Sequence, residues 1–279
     1  MDEKSLGKRL QEARRSAGLT QQELCHKAGL SYSTLAKIER GAIKSPSIFT
    51  IVQIAAAVGT TLDELMGQPT STKQTKLSKS GISFVFFDVN GCLLRFFHSA
   101  FTRLAEKSGA PADLIETTFW HYNDAVCSGK MPLADFNKIL GKQLDIPGLD
   151  WKDYYLSAVD PIKEMHDLVT WASKHYHVGL LTNIMPGFVT TLKKQGLIPN
   201  IHYDAIIDSS EVGYIKPDRE IYEAAQAKAG VSASEILLID DSRTNIMAAE
   251  RLGWHVLWFD DFRPKDSVTR VKAALELAE

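Results

Sequence analysis

Short continuous apolar runs and longer stretches of helical period alternate through residues 81–279. Phe84-Val85-Phe86-Phe87, Val178-Gly179-Leu180-Leu181, Ala205-Ile206-Ile207 and Ile236-Leu237-Leu238-Ile239 are three or four residues long, rich in branched and aromatic side chains, and apolar throughout. Such runs read as strands of a parallel sheet covered on both faces. The amphipathic stretches between them read as crossover helices, so this part of the chain is α/β. Residues 1–68 carry a different pattern. Ile51, Ile54, Ala55 and Val58 fall at i, i+3, i+4 and i+7, the stripe of a helix with one buried face. Thr20-Gln21-Gln22-Glu23 is a capping box, and Thr61-Leu62-Asp63-Glu64 repeats it. Helices are expected from about Gln21 to Ala28 and from Tyr32 to Arg40, with a turn at Gly29-Leu30-Ser31 and Gly41 as a left-handed stop. The front of the chain is thus a small all-helical unit.

Between the two patterns, residues 69–80 (PTSTKQTKLSKS) have no period that would bury a face and read as a linker. A second irregularity lies inside the α/β part. From about residue 97 to residue 159 the chain is helical without a strand, with helices over Ala100 to Ser108, Pro111 to Ala125 and Pro132 to Leu140. It reads as an insert following the first strand.

Composition narrows the class. With 44% hydrophobic and 24% charged residues, the 279-residue chain can fill ordinary globular cores. The net charge of −2 hides an asymmetry. Residues 1–68 hold nine Lys and Arg against seven Asp and Glu, and the linker adds three lysines and no acid, so the excess acid lies in residues 81–279. A basic front and an acidic rear fit a nucleic-acid module joined to something else. Cys25, Cys92 and Cys127 are odd in number and lack metal-type spacing, which points to reduced thiols. The beginning MDEKSLGKRL is charged, and the apolar stretch Ile48 to Val58 is too short to cross a bilayer. A cytoplasmic protein without membrane contact is expected.

In the front unit, GLTQQELCHKAGLSYSTLAKIERG followed by SPSIFTIVQIAAAVGTTLDEL resembles the Cro and Xre phage-repressor family of helix-turn-helix domains over residues 5–66. The resemblance implies double-stranded DNA as a partner, with the helix from Tyr32 entering the major groove. Tyr32, Ser33, Thr34 and Lys37 would face base edges, while Gln21, Arg40 and Lys44 would touch phosphate. It also implies a homodimer on half-sites about one helical turn, ~34 Å, apart. The plainer alternative is a helical bundle used for protein contacts.

Each strand-like run in the rear ends on polar residues: Asp88, Thr182-Asn183, Asp208-Ser209 and Asp240-Asp241. In an open parallel sheet, ligands bind beyond the carboxyl ends of the strands, so these endings should share one crevice. Together with Gly213-Tyr214-Ile215-Lys216-Pro217 placed before the fourth, they resemble the haloacid dehalogenase (HAD) superfamily over residues 82–262. The implied fold is a Rossmann-like parallel sheet with an inserted helical cap, here preceded by an all-α helix-turn-helix domain.

The implied chemistry is Mg²⁺-assisted hydrolysis of a small phosphorylated metabolite. Asp88 would be the nucleophile, forming an aspartyl-phosphate. Thr182 and Lys216 would hold phosphoryl oxygens, with amides near Asn90 and Gly91 completing the cradle. Mg²⁺ would take oxygen ligands from Asp88, the Asn90 main chain and the Asp240-Asp241 pair. Neighbouring strand residues point to opposite faces, so one of that pair should meet the metal directly. The resemblance selects Asp241, leaving Asp240 as a partner of Lys216 or as an acid standing behind the metal ligands. Asn183 and His98 are candidate substrate contacts. Trp120, His121 and Tyr122 have two readings, facing the crevice or packing the insert, and packing is favoured for the aromatic pair.

Asn90 departs from the family pattern. Phosphatases of this type carry an Asp two residues after the nucleophile, acting as general acid and then base. A carboxamide cannot exchange a proton at neutral pH, and general acid-base catalysis is worth ~10² to 10⁴ in rate. Two readings follow: a slow or specialised phosphatase attached to a DNA-binding regulator, or a rear unit that binds a phosphometabolite, or keeps a long-lived aspartyl-phosphate, and so controls DNA binding. A third is a working phosphatase whose front unit serves assembly alone.

Overall fold

The structure is a computed structural model, which describes residues 3–43, 45–60, 65 and 77–276. Lys44 and the second capping box, Thr61 to Glu64, lie outside the described residues. The chain divides into two compact units, residues 1–74 and 75–279.

In the first unit the described helices are α1 (Glu3–Ser16), α2 (Gln21–Ala28), α3 (Tyr32–Glu39) and α4 (Ile48–Val58). Local chemistry sets their ends. The Thr20 hydroxyl accepts the Glu23 amide at 3.2 Å while Glu23 Oε2 accepts the Thr20 amide at 2.8 Å, closing the capping box the sequence predicts. Ser31 and Ser47 cap α3 and α4 in the same sense. The second helix of the pair stops at Glu39, one residue short of the expected Arg40, which stands as its cap. Leu10, Leu24, Leu35, Ile51 and Ile54 form the buried core. At its edge a buried ion pair joins α1 to α3: Arg14 Nε lies 2.7 Å from Glu39 Oε1 and Arg14 Nη2 lies 3.1 Å from Oε2.

The second unit is built on a five-stranded parallel sheet in the order β3-β2-β1-β4-β5. Its strands are β1 (Phe84–Phe87), β2 (His177–Thr182), β3 (Ala205–Asp208), β4 (Ile236–Asp240) and β5 (His255–Trp258). Side chains alternate across the sheet. Phe84, Phe86, Ile236 and Leu238 face one buried cluster, and Val85, Phe87, Leu237 and Ile239 face the other. The expected runs form β1 to β4. The edge strand β5 is additional: it opens on an exposed His and is only partly buried, so no continuous apolar run announces it.

Between β1 and β2 lie α5 (His98–Ser108), α6 (Ala112–Cys127), α7 (Leu133–Gln143), α8 (Trp151–Ala158) and α9 (Lys163–Ala172). The first four form the inserted cap, in which α8 joins the three helices expected. Phe97, Phe101, Phe119, Phe136, Trp151 and Tyr155 knit the cap together by edge and stacked contacts at 4.6–6.5 Å between ring centroids. These rings bury large areas with defined mutual geometry, which fixes the cap helices relative to one another. After β2 the chain runs through α10 (Phe188–Lys194), β3, the single turn α11 (Ser209–Val212), α12 (Arg219–Ala229) and a 3₁₀ turn (Ala233–Glu235). Following β4 come α13 (Arg243–Arg251), β5 and α14 (Pro264–Ala274). Among the described residues no helix is long and apolar enough to cross a membrane. The three cysteines are free and buried.

Candidate active site and candidate nucleic-acid surface

The first strand ending brings Asp88 to the rim of the sheet, and the fourth brings Asp240 and Asp241. Lys216, from the loop before α12, lies between them: its Nζ is 2.9 Å from Asp88 Oδ1 and 2.5 Å from Asp240 Oδ2. All three groups are buried, with Asp240 fully so. Asp240 also accepts hydrogen bonds from the Ser242 amide at 2.8 Å and the Asn245 amide group at 3.1 Å. Asp240 is thus fixed against Lys216 from both sides. Asp241 is half-buried at the cavity and is given room by Gly91, whose φ is +85°. A Cβ at Gly91 would lie 2.1 Å from Asp241 Oδ2, so the backbone conformation favours glycine and any side chain there would displace the Asp241 carboxylate.

Asp88, Asp240 and Asp241 each present a carboxylate oxygen within 4.8 Å of the others. One ammonium faces three carboxylates, an excess of negative charge in a buried place. Burial pushes Asp88 up, Lys216 pulls it down, and Asp240 and Asp241 push it up again, to about 7. Asp241 is pushed up to about 6 by burial and by Asp240. Burial works against the charge of Lys216, but Asp240 and Asp88 outweigh it and raise its pKa above the ordinary value. A hard divalent cation fits this set: its donors are oxygens and its charge would cancel the excess.

Beside the acids, at the end of β2, Thr182 Oγ1 is buried and has no hydrogen-bond partner among the described residues. An unpaired buried hydroxyl is costly unless something completes it, and here an anion held by Lys216 would do so. Asn183, a candidate substrate contact, lines the cavity and also holds the backbone of Lys216. Its Nδ2 donates to the Lys216 carbonyl at 2.8 Å and its Oδ1 accepts the Lys216 amide at 2.7 Å, which fixes the lysine's loop.

The Gly91 amide departs from expectation: it donates to the Leu94 carbonyl at 2.7 Å and does not face the cavity. The third strand ending stands outside the cavity. Asp208 Oδ1 accepts from the Ser210 amide and hydroxyl, and Ser209 Oγ accepts the Ile184 amide, so this ending braces the loop after β2.

A cavity of about 300 Å³ opens over these groups. Asp88, Asn90, Lys216 and Asp241 form its floor, and the cap supplies an aromatic wall that includes Phe96, Trp120 and Trp151, with Phe188 of α10 beside it. Trp120 thus lines the cavity, against the packing role favoured for it, while Tyr122 packs on the core. His98 lies against Phe96, 4.6 Å between centroids and tilted by 47°, and is not part of the lining. Tyr155 is the residue that sequence reasoning missed. Its hydroxyl donates to Asn90 Oδ1 at 2.7 Å, joining cap helix α8 to the loop after β1.

On the first unit, Tyr32, Ser33 and Lys37 are exposed along α3, and Thr34 is half-buried with its hydroxyl 2.8 Å from that of Ser31. Arg40 is exposed and its Nε donates to the Ala36 carbonyl at 3.0 Å. Gln21, expected on phosphate, is turned inward: its Nε2 donates to Glu39 Oε2 at 2.7 Å and completes the ion pair with Arg14.

A parallel sheet whose strand ends gather a carboxylate, a lysine bridging two acids and a third acid beneath a helical cap defines the class of HAD-type hydrolases. The chain belongs to the haloacid dehalogenase-like hydrolase family, whose model matches residues 82–253. The helix-turn-helix model matches residues 10–65. D-ribitol-5-phosphate phosphatase of Bacteroides thetaiotaomicron is 29% identical over 153 residues, 50% of this chain and 68% of that enzyme. The immunity repressor protein of Bacillus phage phi105 is 37% identical over 70 residues, 25% of this chain and 48% of the repressor, so the chain spans about half of that relative.

Among solved structures, a HAD-like family hydrolase from Porphyromonas gingivalis superposes with a TM-score of 0.58 at 24% identity, covering 68% of this chain and 97% of its own. A HAD-family enzyme from Bacteroides thetaiotaomicron in complex with magnesium and inorganic phosphate superposes with a TM-score of 0.57 at 20% identity, covering 65% and 95%. The chain is thus a helix-turn-helix domain fused to a HAD hydrolase domain with phosphatase relatives.

Proposed function

We propose that the chain is a transcriptional regulator whose second unit is a Mg²⁺-dependent phosphatase acting on a small phosphorylated metabolite. The carrying observation is the Asp88–Lys216–Asp240 chain of contacts beside the unpaired Thr182 hydroxyl. Asp88 is the nucleophile toward phosphorus. Lys216, fixed between two acids and through its backbone by Asn183, and Thr182 hold phosphoryl oxygens in a dry site where such contacts are strong. Asp88, Asp241 and the Asn90 carbonyl would hold the cation, which when bound would neutralise charge on the transferring group. Displacement leaves the phosphoryl group on Asp88, and water then releases it. The front units bind double-stranded DNA as a homodimer through α3 in a reducing, cytoplasmic setting.

The test is turnover of p-nitrophenyl phosphate with and without Mg²⁺, with Asp88→Asn as control. Wild-type turnover dependent on the ion and absent from the control is expected; a rate equal to the control's would refute the phosphatase reading. Asn90 favours a second reading, in which a slowly hydrolysed aspartyl-phosphate acts as a signal to the DNA-binding unit. Mass spectrometry after mixing with acetyl phosphate would then find a phosphoryl group on Asp88 that persists for minutes.

A further inference from the structure

The two ends of the cavity differ in character. At its floor Asp88 and Lys216 are buried, whereas its mouth is set by cap helix α6, from which Phe119, Trp120, Asn123, Asp124 and Cys127 line the cavity. These positions fall at i, i+1, i+4, i+5 and i+8 and so share one face of the helix. Asp124 is exposed, and Trp120 remains 46% exposed. Asn123 holds the carboxylate in place: its Nδ2 donates to Asp124 Oδ1 at 3.1 Å, and its Oδ1 accepts the Cys127 thiol at 3.4 Å. Asp124 Oδ2 has no partner among the described residues. The charge of Asp124 also reaches inward, since after burial it is the largest cause pushing the Cys127 thiol up. Lys216, the one Lys or Arg lining the cavity among the described residues, is already held by Asp88 and Asp240, so no cation at the mouth balances Asp124. Lys152 lies over the Phe188 ring at 5.3 Å and Arg243 over the Trp258 ring at 4.4 Å, both outside the lining.

We infer that the Asn123–Asp124 pair determines which alcohol the phosphate ester can carry: it favours one that presents a hydroxyl or an ammonium to the cap and rejects one that bears a second anionic group. The inference rests on the phosphatase reading above and narrows it to a substrate class. An ionised carboxylate accepts hydrogen bonds and has none to donate. Asp124 Oδ2 therefore matches a hydroxyl or ammonium hydrogen and repels a carboxylate or a second phosphate, which would find no cation at this end of the cavity to offset the repulsion. The aromatic wall suits the same class. Phe96 and Trp120 stack with 6.1 Å between centroids and 17° between planes, and the exposed face of Trp120 can pack on the C–H bonds of a polyol or attract an ammonium. With the phosphoryl group at Asp88 and Lys216, a cavity of about 300 Å³ leaves the far end of a short alcohol beneath α6.

The experiment is kcat/KM of the full chain, Asp124→Asn and Asp124→Lys, in Mg²⁺, toward three esters of one skeleton. These are glycerol phosphate, its analogue with an ammonium in place of the terminal hydroxyl, and phosphoglycerate, with a carboxylate in place of the terminal hydroxymethyl group. Wild type should prefer each of the first two over phosphoglycerate by about 10-fold or more. That preference should shrink as salt rises, because an exposed charge is screened. Asp124→Asn should bring the three esters close to parity, and Asp124→Lys should reverse the order. Whichever of the first two leads in wild type identifies the donor as hydroxyl or ammonium. A carboxylate that served proton transfer or the structure of the cap would lower all three esters alike and leave their ratios unmoved. Such unmoved ratios, wild-type turnover of phosphoglycerate equal to that of glycerol phosphate, or hydrolysis of p-nitrophenyl phosphate with none of the three esters consumed, would each overturn this inference while leaving the phosphatase reading intact. No turnover of even p-nitrophenyl phosphate would overturn both.

Discussion

Gly91 stands against Asp241 so closely that a single added methyl would lie 2.1 Å from the carboxylate oxygen Oδ2. With φ at +85°, a side chain at this position is strained twice over, once by the backbone and once by the neighbour. Gly91→Ala should therefore cost about 1–3 kcal/mol in stability and swing Asp241 away from the cavity. Urea unfolding would measure the first. A rise of at least 10-fold in the Mg²⁺ concentration that half-activates turnover would measure the second, and an unchanged requirement would remove Asp241 from the cation site.

Lys216 is the only ammonium between Asp88 and Asp240 among the described contacts of those acids. Lys216→Met would keep the length of the side chain and strip the charge, leaving two buried carboxylates facing each other. Breaking a buried pair in this way costs about 3–5 kcal/mol. A divalent cation on Asp88 and Asp241 would offset part of that, so the loss should be larger in EDTA than in Mg²⁺. Thermal unfolding followed by tryptophan fluorescence reads this unit alone, because all five tryptophans lie between residues 120 and 258. Equal losses under both conditions would argue against the cation.

The Arg14–Glu39 pair makes the front unit sensitive to acid. Burial pushes Glu39 up, but hydrogen bonds from Arg14 and Gln21 outweigh it and hold its pKa below the ordinary value. A carboxylate depressed in the folded state contributes stability that is complete above its unfolded pKa, about 4.3, and is lost as pH falls through the folded value. Hydrogen exchange of α1–α3 should thus accelerate below about pH 4.3, in wild type far more than in Glu39→Gln. That variant should lose about 1–3 kcal/mol at pH 7, since Arg14 keeps its charge without its partner. Parallel pH profiles for the two proteins would disprove the assignment.

Much of this arrangement was legible because apolar runs of three or four residues ending in acids or Thr have few other uses. Asp88 and Asp240, at the first and fourth of those endings, meet on Lys216, while Thr182 is buried at the end of β2. What was hidden depended on packing between distant elements. Tyr154 and Tyr155 are adjacent, and nothing local distinguishes the one that reaches Asn90 from the one that does not. The hydrogen bonds of Asn183 to the Lys216 backbone and the closeness of Gly91 to Asp241 likewise join loops far apart in the chain, and no local pattern announces them. Gln21 looked like a phosphate contact until Glu39 claimed its amide.

For the DNA-binding surface, charge and reach separate the residues. Lys37 and Arg40 are exposed cations on and just beyond α3, whereas Gln21 is tied to Glu39. If Lys37 and Arg40 contact the duplex, each alanine replacement removes one released counterion per module and should reduce the slope of log affinity against log salt by about 1. Gln21→Ala should leave that slope unchanged and act instead through stability, by weakening the Arg14–Glu39 pair. Fluorescence anisotropy with a duplex from the chain's own promoter region, from 50 to 200 mM salt, would compare the three variants. Should Gln21→Ala lower the slope while Lys37→Ala does not, the DNA would lie across the start of α2 and the assignment of α3 as the reading helix would fail.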